Sequence, residues 1–124
     1  MQVFWVEIPA VDLERAMAFY QTVFKLQPTE IIADATRRIT ILISPTPEGR
    51  VAVALNQTQN FPPSASGPLV YLHVDEPLAQ TLSRIEGAGG QVTLVEPEEV
   101  RGAFGKFATI LDSEGNALVV HSGT

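Results

Sequence analysis

Apolar and polar positions follow one order twice along this chain. Residues 3–8 (VFWVEI) are rich in β-branched and aromatic side chains and predict a strand that Pro9 ends. Asp12 is a favourable N-cap, and behind it Leu13, Ala16, Met17, Tyr20, Val23 and Phe24 fall on one stripe of a helix, with Glu14 and Arg15 outside it. Pro28 closes that helix, and a short strand is expected within 29–35. Residues 38–44 alternate, with Ile39, Ile41 and Ile43 on one side and Arg38, Thr40, Leu42 and Ser44 on the other; the isoleucine side is expected in the core. After the turn signal PTPEG at 45–49, bulky Val51, Val53 and Leu55 alternate with small Ala52, Ala54 and Asn56. The two runs predict a hairpin whose small side leaves room for something.

The second half starts over. A strand at 69–74 (LVYLHV) leads to Asp75 and Glu76 as helix-start acids, Pro77 in the first turn, and a stripe of Leu78, Leu82 and Ile85 that stops at Gly87, Gly89 and Gly90. Strands follow at 91–95, 104–111 and 117–122, separated by the polar loop EPEEVRG and the turn DSEGN at 112–116. The string is βαβββ twice, an α+β pattern in a single domain over 1–124: module one 1–57, a proline-rich linker 58–68, and module two 69–124. A repeat of this length reads as two supersecondary units, each too small to bury its own face.

Composition narrows the partners. Eight Lys plus Arg against fourteen Asp plus Glu give a net charge of −6, which disfavours nucleic acid and anionic membranes. The absence of cysteine removes disulfides, thiolate nucleophiles and thiolate metal sites. The start MQVFWVEIPA lacks the basic region of a signal peptide, and no apolar run approaches the ~20 residues of a membrane span, so a cytoplasmic protein is expected.

EIPAVDLERAMAFYQTVFKL near the start, VYLHVDEPLAQTLSRIEGAGG in the middle and FATILDSEGNALVVHS at the end, in this order and spacing, resemble the vicinal oxygen chelate superfamily, which includes glyoxalase I, bleomycin and fosfomycin resistance proteins and extradiol dioxygenases. The resemblance implies two βαβββ modules forming paired curved mixed sheets around a central cavity, the glyoxalase/bleomycin resistance fold. It also implies a homodimer and a small-molecule ligand in the concave sheet. Metal-dependent members present one His or Glu from each of four strands to a divalent cation acting as a Lewis acid. Those positions fall here on Trp5, about Ala54, Leu69 and Val119, none of which can ligate a metal. A protein without the usual metal, and with no cofactor, is therefore expected.

Strand periodicity places Glu7 beside Trp5, Tyr71 and His73 beyond Leu69, and Ala117 and His121 on either side of Val119, all on the concave face. Arg37 and Arg38 read as a solvated strand start rather than an anion clamp, though Arg38 shares the parity of Thr40 on the concave side. Trp5, Glu7, Tyr71, His73 and His121 are the candidate ligand-binding residues, and Glu7 and His121 the candidate catalytic ones. Three readings compete: hydrogen-bonded structural groups; a metal-free pocket with aromatic contact from Trp5 and Tyr71 and orientation or acid/base work by Glu7 and His121; and a displaced metal site of Glu7, His73 and His121. Glu96, Glu98 and Glu99 read as an exposed loop with a remote gating role. The matching functions are a binding or sequestering protein of the antibiotic-resistance type, an enzyme of the glyoxalase kind (lyase or isomerase), or a dimeric interaction module.

Overall fold

A computed structural model describes residues 1–97 and 104–124. The first module runs β1 (Trp5–Pro9), α1 (Leu13–Phe24), β2 (Ile31–Ala33), β3 (Arg37–Ile43) and β4 (Ala52–Thr58). The second runs β5 (Tyr71–Val74), α2 (Leu78–Leu82), β6 (Gln91–Val95), β7 (Lys106–Leu111) and β8 (Ala117–Ser122). Each module forms a four-stranded mixed sheet of the same order, β1-β4-β3-β2 and β5-β8-β7-β6. In both, the first strand lies parallel to the last and the other neighbours are antiparallel. The α+β architecture of paired βαβββ units is thus observed, and the two sheets stay open.

One core serves both modules. Ile8, Leu42 and Leu55 of the first sheet and Ala108, Ile110, Leu118 and Val120 of the second enclose Leu13, Ala16, Phe19, Tyr20 and Val23 of α1, joined by Leu78 and Ile85. Phe19, outside the predicted stripe, is buried because α1 is covered by both sheets and so needs a wider apolar face. Gly90 makes this contact possible: a Cβ there would lie 2.6 Å from the Phe19 ring and 2.5 Å from the Leu111 carbonyl oxygen. The second helix is shorter than its stripe suggested. Pro77 precedes it without a side-chain cap, and beyond Leu82 the chain continues in turns that still bury Ile85.

The face assignment of β3 is corrected. Register places Thr40 opposite Leu55 and Ile41 opposite Ala54, so Thr40 and Leu42 point toward the core while Ile39 and Ile41 lie on the other face. Thr40 is tolerated there because its hydroxyl donates to the Glu30 carbonyl. A bulge between Ile41 and Ile43 returns Ile43 to the core side. Arg38 shares the parity of Thr40 and reaches Glu14 on α1 at 2.8 Å, so it leaves the concave face.

The turn at 112–116 ties the modules together. The Tyr20 hydroxyl donates to Asp112 at 2.6 Å, and Asn116 Nδ2 donates to the Pro9 carbonyl. Glu114 accepts from the backbone of Val11 and Asp12 and from both Nε and Nη2 of Arg15. A carboxylate of module two therefore completes the N-terminal cap of the helix of module one.

Candidate functional site

Each sheet turns one face to the shared core and leaves the other open. Since Ile8 and Leu55 face the core, their neighbours Glu7, Ala54 and Asn56 face the open side, together with Trp5, Ala52, Ile39 and Ile41. On the second sheet Leu118 and Val120 face the core, which puts Val119 and His121 on the open side with Tyr71, His73, Phe107 and Thr109. The register behind the candidate residues is therefore present.

On the first sheet, Glu7 is a half-buried carboxylate held by two neutral donors. Trp5 Nε1 donates to Oε2 at 3.1 Å and Asn56 Nδ2 to Oε1 at 2.7 Å. Both carboxyl oxygens are thus acceptors within the protein. Among the described residues, no lysine, arginine or histidine pairs with it. Asn56 is 5% exposed, and its Oδ1 is buried without a hydrogen-bond partner. The small side of β4 is thus covered: Ala52 and Ala54 are fully buried beneath the indole, the carboxylate and the amide.

On the second sheet, the two histidines form a chain. His73 Nε2 meets Asp75 Oδ1 at 3.1 Å, His73 Nδ1 meets His121 Nδ1 at 2.9 Å, and His121 Nε2 meets the Phe104 carbonyl at 2.5 Å. A carbonyl only accepts, so His121 Nε2 carries a proton, and the contact between the two Nδ1 atoms requires one more. The tautomer of each ring sets which atom donates in the His73–His121 and His73–Asp75 contacts. Gly105, at φ +104°, permits this: a Cβ there would lie 2.8 Å from His121 Nε2 and 2.5 Å from the Ser122 carbonyl oxygen.

The candidates thus form two groups on two sheets. Trp5 and Glu7 sit together, as do Tyr71, His73 and His121. No hydrogen bond joins Glu7 to His121, whose partners are His73 and Phe104. A cleft of about 880 Å³ lies instead beside β5, lined by apolar residues including Phe24, Leu42, Val53 and Leu72, and it takes in Tyr71 and His73. At its rim, Arg84, Thr81 and Lys25 hold Glu76 at a pKa of about 2. Sequence patterning missed Asn56, counted only as a small residue, although a polar side chain at a core-depth strand position was the available signal. Glu96 is half-buried and its backbone N–H donates to the Phe107 carbonyl, while Glu98 and Glu99 lie outside the described residues.

A divalent cation at the superfamily's usual position does not fit these side chains. Trp5, Ala54 and Val119 bring an indole and two hydrocarbon groups to the open faces, and Leu69, 49% exposed, adds another hydrocarbon. Among the described residues, no three His, Asp or Glu side chains converge as a metal-binding group.

The sequence profile of the glyoxalase/bleomycin resistance protein/dioxygenase superfamily matches residues 2–120. No curated protein matches the sequence at a significant level. Similar solved structures include a glyoxylase/bleomycin resistance protein/dioxygenase domain from Frankia sp. EAN1pec, 17% identical, with 100% of this chain and 98% of that one covered and a TM-score of 0.73. A mutant of the fosfomycin resistance protein FosX from Listeria monocytogenes, complexed with Mn(II) and 1S,2S-dihydroxypropylphosphonic acid, is 13% identical over 98% of this chain and 92% of that one, with a TM-score of 0.72. Glyoxalase I from Zea mays, also a mutant, is 15% identical over 97% of this chain but 45% of its own, with a TM-score of 0.71. The profile match spans nearly the whole chain, and the chain belongs to the glyoxalase/bleomycin resistance protein/dioxygenase superfamily.

Proposed function

We propose that the protein binds a small molecule on its open sheet faces without the metal centre used elsewhere in the superfamily, and that it does so as a cytoplasmic homodimer. The observation that carries this reading is the open-face register: the positions that would hold the cation present Trp5, Ala54 and Val119, while Trp5 and Tyr71 offer aromatic surface for a ligand. Two features support the dimer. Strands β1 and β5 are the outer strands of their sheets, and the apolar side chains of Phe4, Leu69 and Tyr71 stand exposed beside them. Pairing β1 of one copy with β5 of the other makes the Trp5–Glu7 face and the Tyr71–His73–His121 face one concave surface, twice per dimer.

A thermal-shift screen over aromatic antibiotics, small electrophiles and 2-oxo compounds, run with and without EDTA, tests the reading through stabilisation by ligand. Binding that survives EDTA is expected. Absence of any stabilising compound, or stabilisation that EDTA abolishes, contradicts it. The Asp75–His73–His121 chain favours a second reading, a lyase or isomerase in which His121 and Glu7 move protons. Turnover of a 2-oxoaldehyde–thiol adduct that is lost in both His121→Ala and Glu7→Gln supports the enzyme; no turnover by the wild-type protein rejects it.

A further inference from the structure

The binding reading leaves the chemical class of the ligand open, and one cluster narrows it. Glu7 accepts only from neutral donors, so its charge is solvated by an indole N–H and an amide N–H but neutralised by no side chain among the described residues. Half-buried carboxylates ordinarily gain a cation or several donors, because removing a charge from water is costly. The bond to Glu7 also fixes the direction of Asn56. Only the NH2 end of the amide donates, so Nδ2 faces Glu7 and Oδ1 is turned away from it, buried and unpartnered. Buried amide oxygens without a partner are rare and mark a missing donor. The cluster therefore combines a carboxylate, a buried acceptor that lacks a donor and, on the same face, the ring of an indole whose N–H is already given to Glu7. The surrounding Ile39, Ala52 and Ala54 add only hydrocarbon, which lowers the local dielectric and strengthens the attraction for a cation.

We propose that Glu7, Asn56 and Trp5 form a recognition site for the protonated amine of a small ligand, its charge set against Glu7, an N–H given to Asn56 Oδ1, and its carbon next to the ammonium against the Trp5 ring. Each group matches one need of an ammonium: an anion, an acceptor and a π face. The net charge of −6 favours arrival of a cation and disfavours an anionic ligand. This assignment rests on the small-molecule reading above and adds the sign and donor capacity of the ligand to it.

Trp5 is the only tryptophan of the chain, so its fluorescence reports on this site directly. The test titrates the protein with benzylammonium, benzyltrimethylammonium and benzyl alcohol, reading Trp5 emission and calorimetric heat. Benzylammonium should bind tightest, at least about tenfold better than benzyl alcohol, as a charged hydrogen bond implies. Benzyltrimethylammonium, which has the charge but no donor, should fall between them. In Glu7→Gln the advantage of both cations over the alcohol should vanish. In Asn56→Ser, which keeps the charge of Glu7, the advantage of benzylammonium over benzyltrimethylammonium should shrink but not vanish. The second variant keeps the test decisive if the first fails to fold. Equal or tighter binding of benzyl alcohol, or a cation preference unchanged in both variants, overturns the amine assignment while leaving the pocket intact. If neither these probes nor the neutral compounds of the thermal-shift screen perturb Trp5, the amine site and the pocket reading fall together.

Discussion

Replacing Glu114 by alanine tests how the two modules hold each other. The carboxylate accepts from Val11 N and Asp12 N, both at 2.9 Å, from Arg15 Nε at 2.8 Å and Nη2 at 3.0 Å, and from Ser113 Oγ at 2.9 Å. Loss of an acceptor for two N–H groups at the start of a helix costs about 1 kcal/mol, and loss of the two-pronged pair with the half-exposed Arg15 about 0.5–1 kcal/mol more. The variant should therefore be destabilised by about 2 kcal/mol in urea at pH 7, with Tm lower by about 6–12 °C for a domain of this size. Arg15→Ala, which spares the backbone donors, should lose less than half of that. Acid titration gives an independent check. Burial raises the pKa of Glu114, but Arg15, the Asp12 N–H and Ser113 outweigh it and hold the group at about 2. A carboxylate lowered on folding stabilises above its unfolded value near 4.5 and loses that contribution as pH falls toward about 2, here about 1–2 kcal/mol after solvent screening. Wild type and Glu114→Ala should converge in stability across that window. A loss under about 0.5 kcal/mol at pH 7, or a gap unchanged between pH 6 and 3, refutes the coupling of the modules through this residue.

Two further outcomes follow from the geometry. Gly105→Ala should destabilise by about 1–3 kcal/mol, since a Cβ at φ +104° would meet the Ser122 carbonyl and His121 Nε2. It should also shift the His121 imidazole signals in NMR spectra, and unchanged signals contradict the proposed chain. Tyr71→Asp and Phe4→Asp, which place charge beside the outer strands β5 and β1, test the proposed dimer: wild type should sediment as a dimer and both variants as monomers, and a monomeric wild type, or a dimer unaffected by both changes, refutes edge-to-edge assembly.

Helix and strand periodicity carried most of the architecture, because α1 and the strands of both sheets each have one face that must be buried. It failed where two faces were both apolar. In β3, isoleucines alternate with Thr40 and Leu42, so hydrophobicity could not say which side meets α1; the register with Leu55 decides it. Phe19 was missed for the same kind of reason, since nothing local indicates that α1 is covered from two directions. The candidate residues were legible as positions on the concave side through parity alone. Their partners were not, because the Glu7–Asn56 bond joins residues 49 apart in sequence and the His73–His121 contact residues 48 apart. Nor was the division into two groups, which follows from how the modules pack on their shared core.

Trp5, Ala54 and Val119 leave nothing to ligate a cation at the superfamily's customary centre. Isothermal titration of the chelator-treated protein with Mn(II), Ni(II), Zn(II) and Fe(II), followed by elemental analysis after gel filtration, measures this most directly. Retention well below one ion per chain for every metal is predicted. One ion per chain held through gel filtration, and lost in His121→Ala or Glu7→Gln, would contradict the metal-free site.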